Sequence, residues 1–274
     1  MPESPEVQAL VEFLDERIRG RVIAAVDIDE FRVVKTRDRP PGSLVGARID
    51  GLTRFGKHVG FDTPEGWLML GFGRNGWIRW LDAGEKSGDE LVPEVARIVL
   101  DDGAAMRIVD TGDFLAVTLS VVDGPQDVAG IAALGPDPLS PDFARDAFER
   151  ALGSRRKQIK ALLQEQTSLA GIGNAYSDEI LHRARIAPAV HAALLDGDER
   201  DRLFAATTTV LRAAVADRRG LAPEQLKPAK VAAMAVHGRG GEACPVCGTT
   251  IVDRVFSGAS AQLCPHCQPE RSPA

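Results

Sequence analysis

The chain has 274 residues, 44% of them hydrophobic and 26% charged, which suits one or two globular domains with a sizeable core. No apolar run is long enough to span a bilayer, and the start lacks the basic and apolar regions of a secretory leader, so a soluble intracellular protein is expected. The net charge of −6 argues weakly against a polyanionic partner, but residues 1–149 carry 16 Lys and Arg against 27 Asp and Glu, whereas residues 150–274 carry 17 against 12. The second half is thus the natural partner for phosphate, although two differently charged solvated faces give the same asymmetry.

The opening run Met1-Pro2-Glu3-Ser4-Pro5-Glu6 carries the most chemistry. Removal of the initiator Met leaves Pro2 as a secondary amine, and an α-amine titrates near pH ~8, so much of it is unprotonated at neutral pH. Such an amine can attack an electrophilic sugar carbon and pass to an iminium, with the adjacent Glu3 as proton shuttle. A small second residue is also common without any catalytic reason. Ser4 is placed to cap a helix with Pro5 in its first turn. Val7, Leu10, Val11, Leu14 and Ile18 follow at helical spacing, and Gly20 ends the run. This helix would hold the chain start rigidly and bring its positive dipole end beside it; a packed surface helix has the same pattern.

Short alternating or apolar stretches then read as strands at Val22–Ile28, Arg48–Leu52, His58–Phe61, Trp67–Leu70, Trp77–Trp80, Arg97–Leu100, Ala105–Val109 and Phe114–Leu119, punctuated by Gly and Asp at sandwich-like intervals. Leu134-Gly-Pro-Asp-Pro-Leu139 is dense in breakers and marks a boundary, after which Ser140-Pro141-Asp142 opens a helix. The second half reads as helices over about 141–152, 156–165, 174–184, 197–217 and 222–226, then a strand at Val231–His237 and a cysteine-bearing hairpin.

The segment around Gly171-Ile-Gly173-Asn174 predicts a helix ending near Glu165, a tight turn, and a new helix opening at Asn174. Glycines let backbone approach a phosphate, and a helix start offers free N–H donors. An αα-hairpin needs glycine for turning alone, so the motif by itself is weak. All four cysteines fall in Cys244-Pro-Val-Cys247 and Cys264-Pro-His-Cys267, with 16 residues between the pairs. This spacing presents four thiolates to one tetrahedral zinc, a closed structural site. Two disulfides are the competing reading and suit a cytosolic chain poorly. His266, between ligands, is expected to be exposed. Residues 249–263, with Ser257-Gly258 at the turn, read as a hairpin that can meet a nucleic-acid groove.

The Met-Pro-Glu start, the Gly-Ile-Gly-Asn turn and the four-cysteine ribbon occur in one chain, with Gly56-Lys57, Leu134–Leu139 and Gly238-Arg239 between them. Together they closely resemble the formamidopyrimidine-DNA glycosylase / endonuclease VIII family across essentially the whole chain. The resemblance implies an α+β fold of two domains: an N-terminal β-sandwich with a leading helix, and a C-terminal helix–two-turn–helix bundle plus zinc ribbon. It places the catalytic β-sandwich domain at 1–123, a linker at 124–140, the DNA-binding helices at 141–236 and the ribbon at 237–270. It implies base-excision repair by removal of a damaged base followed by strand cleavage. The partner is double-stranded damaged DNA, the cofactor one structural zinc. The protein is expected to be monomeric and cytoplasmic, meeting the nucleoid through DNA.

Carried onto this sequence, Pro2 becomes the nucleophile at C1′ of a flipped nucleotide and Glu3 the acid/base. Glu6 supports the reacting centre, and Lys57 completes the catalytic set. Lys57 and Asn174 match phosphate-binding positions. Gly173, Lys160, Arg239, Arg74 and Phe114 are further expected DNA contacts. Cys244, Cys247, Cys264 and Cys267 hold the metal.

Several positions depart from the family pattern. Its frequent His-Leu-Gly-Met run reads Gly71-Phe-Gly-Arg74, and its Asp-Pro-Arg-Arg-Phe segment reads Asp110-Thr-Gly-Asp-Phe114, so Gly112 replaces a void-filling arginine. Phe72, Arg74 and Phe114 are the remaining candidates for a wedge, with core packing the plainer role for both phenylalanines. An arginine expected five residues before the third cysteine is Ala259, which removes a bidentate phosphate grip. Arg254 shares the hairpin but is expected on another face. The stretch Gly220–Val236 is short, which points away from 8-oxoguanine and toward an oxidised pyrimidine, an abasic site or a bulkier adduct. Lower affinity and impaired cleavage are expected. The alternative to an enzyme is a lesion-binding protein of the same fold with weak or lost catalysis; a zinc-ribbon interaction protein without a DNA role leaves the chain start unexplained.

Overall fold

The computed structural model describes residues 2–85, 92–256 and 259–270. The turn expected at Ser257-Gly258 lies outside the described residues. Contacts divide the chain into two compact units: Glu6–Ala132 and Arg218–Lys227 with Pro2 in the first, Glu3–Pro5, Ala133–Asp217 and residues from 228 onward in the second.

In the first unit, helix α1 (Ser4–Ile18) is followed by strands β1 (Ile23–Ile28), β2 (Gly51–Phe55), β3 (His58–Thr63), β4 (Gly66–Gly71), β5 (Gly76–Leu81), β6 (Glu94–Leu100), β7 (Ala105–Asp110) and β8 (Thr118–Val122). They form two four-stranded antiparallel sheets, ordered β1-β6-β7-β5 and β2-β3-β4-β8. One core joins both sheets to α1. Val7, Leu10, Val11, Leu14 and Ile18, the residues at helical spacing, are buried with Leu52, Phe61 and Leu70 from one sheet and Ile23, Ile78, Ile98 and Ile108 from the other. Each such side chain contributes about 1.5–3 kcal/mol by leaving water.

The expected cap at Ser4 is not made. Ser4 is already helical, and its buried hydroxyl has no hydrogen-bond partner among the described residues. Two expected strands are displaced. The chain at Arg48–Ile49 is held outside β2 by the Val22–Arg48 bridge and the Ile49 N–H to Arg21 bond, so β2 starts at Gly51. Residues 112–117 are drawn into a loop by Asp110, whose carboxylate accepts from the N–H groups of Gly112, Ala116 and Val117, so β8 begins only at Thr118.

Beyond the short α2 (Ala129–Ala132), the second unit holds α3 (Arg145–Leu152), α4 (Ile159–Leu163), α5 (Asn174–Ala184) and most of α6 (Gly197–Arg218) around a core that includes Phe148, Leu162, Ile180 and Leu211. Helices α3 and α4 start later than their patterns suggest. The strand expected at Val231–His237 is absent: helix α7 (Pro223–Ala233) runs through its first half, in keeping with an alanine-rich sequence. The amides of Ala235, Val236 and His237 then bond to the Glu179 carboxylate instead of to a neighbouring strand. Strands β9 (Val252–Phe256) and β10 (Ala259–Leu263) form the ribbon.

Residues 218–227 join the first unit through Glu6–Arg218 and Glu12–Arg219 ion pairs and a Trp77 Nε1–H to Pro223 carbonyl bond. Residues 3–5 join the second, where Ser4 N–H donates to the Gly171 carbonyl at 2.9 Å. No helix among the described residues is long and apolar enough to cross a membrane.

Candidate active site and metal centre

Glu3 is 2% exposed and its carboxylate sits on the N-terminus of α5. Oε2 accepts from Gly173 N–H at 2.5 Å and Tyr176 N–H at 3.3 Å, and Oε1 from Ala175 N–H at 3.0 Å. Lys230 Nζ donates to Oε1 at 3.1 Å and lies 4.9 Å from the Tyr176 ring centre. Three backbone donors at a helix start and one ammonium thus hold the carboxylate in place.

This corrects the reading of the glycine turn. Gly173, expected to bring backbone to a phosphate, instead makes room for Glu3 through its missing side chain, since an added Cβ would stand 2.6 Å from Glu3 Cδ. Gly171, at φ +87°, has its space filled by Ser4, 2.4 Å from an added Cβ. The turn cradles the chain's own start, and the amides of residues 173, 175 and 176 bond to Glu3.

Asn174 opens α5 and is half-buried, its Oδ1 accepting from Gln164 Nε2 at 3.0 Å and its Nδ2 donating to Ser260 Oγ at 3.2 Å. Lys160, expected to touch DNA, is 2% exposed and inside the fold. Its ammonium bonds to the buried Asp178 carboxylate, to Ser177 Oγ at 3.2 Å and to the Asn174 carbonyl at 3.4 Å. Burial pushes its pKa below the usual lysine range against the opposing pull of Asp178. Lys160 thus braces α4 on α5. Asp178 also bonds His237 Nδ1 at 2.7 Å. Arg239 is half-buried and pairs with Glu242 at 2.7 Å.

In the first unit, Pro2 is buried, and Glu6, 1% exposed, forms an ion pair with the equally buried Arg218 at 3.4 Å. Lys57 is half-buried on the β2–β3 turn, after Gly56 at φ +58°. Burial lowers the pKa of neighbouring His58, and the Lys57 charge adds to the effect. The His58 ring stands 3.0 Å from where a Gly71 Cβ would be.

The two candidate wedge loops touch each other. A Cβ on Gly73 would come 2.4 Å from Ala116 Cβ, and one on Gly112 2.3 Å from Asn75 Nδ2. Phe72 is 2% exposed and packs on Trp77, with ring centres 5.2 Å apart, so it belongs to the core. Phe114 is 86% exposed and Arg74 is exposed. Core packing therefore accounts for one phenylalanine and not for the other.

Sulfurs of Cys244, Cys247, Cys264 and Cys267 lie within 4.8 Å of one another, and none is in a disulfide. Tetrahedral bonds of about 2.3 Å need sulfurs roughly 3.8 Å apart, so the four fit one zinc with no open position. His266 is exposed, as expected. The ribbon register pairs Arg254 with Ala261 and Phe256 with Ala259.

Sequence reasoning missed Lys230, Gln164, Asp178, His182 and His237. Their partners lie between 10 and 227 residues away in the chain, and the only local sign was an ionisable or amide side chain inside an apolar pattern.

The matching family models span most of the sequence: the N-terminal domain of formamidopyrimidine-DNA glycosylase at residues 1–117, the H2TH domain of that enzyme at 134–224, and the zinc finger found in FPG and IleRS at 241–269. A formamidopyrimidine-DNA glycosylase of Heliobacterium modesticaldum is 35% identical, over 98% of this chain and 100% of its own. The Lactococcus lactis enzyme, solved non-covalently bound to DNA containing an abasic site, superimposes with a TM-score of 0.82 at 26% identity, over 98% of this chain and 100% of that one. A MutM solved with DNA containing carbocyclic 8-oxoguanine gives 0.83 at 27% identity, with the same coverage. The chain belongs to the formamidopyrimidine-DNA glycosylase family.

Proposed function

We propose that this protein is a base-excision DNA glycosylase that also cleaves the strand at the resulting abasic site, with Pro2 as nucleophile. The observation that carries the reading is Glu3: a carboxylate adjoining Pro2 in sequence, buried and fixed by three backbone donors and Lys230. A proton-transfer group so restrained has little freedom to lose on reaching the transition state.

In this reading the target nucleotide leaves the helical stack, because its C1′ is otherwise out of reach. The Pro2 nitrogen bonds to C1′ as the glycosidic bond breaks, and the electron pair departs with the base. The sugar ring opens, O4′ taking a proton delivered through Glu3, to give an iminium. Loss of the C2′ proton then expels the 3′ phosphate, and water releases Pro2. Lys57 and Asn174 bind phosphate, and Phe114 with Arg74 fills the space left by the base. One zinc on the four cysteines fixes the ribbon and takes no part in the reaction.

The Pro223–Ala233 helix occupies most of the stretch 220–236, leaving few residues for a long loop. This supports an oxidised pyrimidine, an abasic site or a bulkier adduct as the preferred target over 8-oxoguanine. Incision of an end-labelled duplex carrying an abasic site tests the function. The wild type nicks it, and Pro2→Gly and Glu3→Gln bind without nicking. Equal nicking by Pro2→Gly refutes the role of Pro2; tight binding without nicking by the wild type favours a lesion-binding protein.

A further inference from the structure

Helix α5 carries a polar seam toward the ribbon. Asn174 Nδ2 donates to Ser260 Oγ at 3.2 Å, Asp178 Oδ2 accepts from Gln262 N–H at 3.3 Å, and His182 Nε2 lies 3.3 Å from Cys244 Sγ. Residues 174, 178 and 182 are one turn apart and share a face. Just past the helix, the Ile186 carbonyl accepts from Gln268 Nε2 at 2.9 Å, and Gln268 Oε1 accepts from Cys264 N–H at 3.1 Å. His182 is 7% exposed and Cys244 3%, so their contact is shielded from water.

A zinc-bound thiolate has lone pairs and no proton, so a ring nitrogen hydrogen-bonded to it carries the hydrogen. We propose that His182 donates its Nε2–H to the zinc-bound Cys244 thiolate and thereby couples metal retention to the helix that seats Glu3 and Asn174. The bond orients the cysteine and satisfies a sulfur lone pair in a dry site. The other contacts of the seam carry the position of the ribbon to the first turn of α5.

Zinc affinity of the full chain, measured by competition with a chromophoric chelator, tests this with His182→Phe and His182→Gln. Phe keeps a ring without the donor and is expected to weaken zinc binding about 10–100-fold; Gln restores an N–H and recovers part of the loss. In the zinc-loaded Phe variant, amide exchange at Ala175 and Tyr176 is expected to quicken. Affinity within about twofold of wild type overturns the metal role, and unchanged exchange overturns the coupling. Should the Phe variant not fold, cadmium-substituted wild type gives the same decision. Scalar coupling between the metal and the His182 Nε2 proton is expected, and its absence contradicts the bond.

Discussion

Glu3 and Gly173 are 170 residues apart in the chain, yet the Gly173 N–H donates to the Glu3 carboxylate across 2.5 Å. The contact places a charge at the positive end of α5 and uses the helix as the seat of a proton-transfer group. The helix–turn–helix is therefore also part of the catalytic apparatus in the proposed function.

Gly173→Ala tests that seat. Gly173 has φ −128° and ψ −155°, extended backbone open to alanine, so the added methyl acts through its collision with Glu3. Displacing a reacting group by about 1 Å can cost ~100-fold. Single-turnover incision of an abasic duplex is expected to fall by that order, with far-UV circular dichroism and zinc content unchanged. A rate within about threefold of wild type would mean that Glu3 does not need this seat.

The two phenylalanines separate stability from recognition. Phe72→Ala empties a core site and is expected to cost about 3–5 kcal/mol in denaturant unfolding. Phe114→Ala, at an exposed position, should alter stability by no more than about 0.5 kcal/mol. It should weaken binding of a lesion duplex about tenfold, because stacking on a base contributes about 1–3 kcal/mol. Undiminished binding removes Phe114 from the wedge.

The ribbon offers a gain-of-function test. Ala259 pairs with Phe256 in the ribbon register, so Ala259→Arg adds a second cation to the hairpin that carries Arg254. Affinity for duplex DNA should rise, strand cleavage with it, and the salt dependence should steepen by about one phosphate contact. Arg254→Ala should flatten it by a similar amount. If Ala259→Arg changes neither affinity nor salt dependence, the ribbon does not meet phosphate at this position.

Glu165, at the end of α4, is held down to about 2 by the Lys157 ammonium first, then by Ser168 and Arg155. Its folded value lies below the unfolded one, so its stabilising effect is complete above about pH 4.5 and disappears as pH falls toward 2. Urea midpoints of wild type and Glu165→Gln should differ at pH 6 and converge near pH 2.5. A gap that stays constant with pH would show that the charge is not what holds this loop.

Much of the fold was legible because it rests on local pattern. The spacing of Val7, Leu10, Val11, Leu14 and Ile18 gave α1, and cysteine spacing gave the metal centre. Partners across the chain were not legible. Gly173 looks like a phosphate cradle until Glu3 is seen in it, and Lys160 reads as a surface cation although Asp178 holds it inside. Val231–His237 has the apolar residues of a strand, but Glu179 takes the amides a strand would pair. Phe72 packs on Trp77 in the core, whereas Phe114 lies exposed in the loop that Asp110 holds.

The most direct measurement is borohydride reduction of the mature protein with an abasic duplex, followed by peptide mapping of the cross-link. A reduced adduct on the nitrogen of Pro2, lost in Pro2→Gly and slowed in Glu3→Gln, is the predicted result. An adduct on a lysine instead, or none under conditions in which the strand is cut, would contradict the assignment of the chain's first proline as the nucleophile.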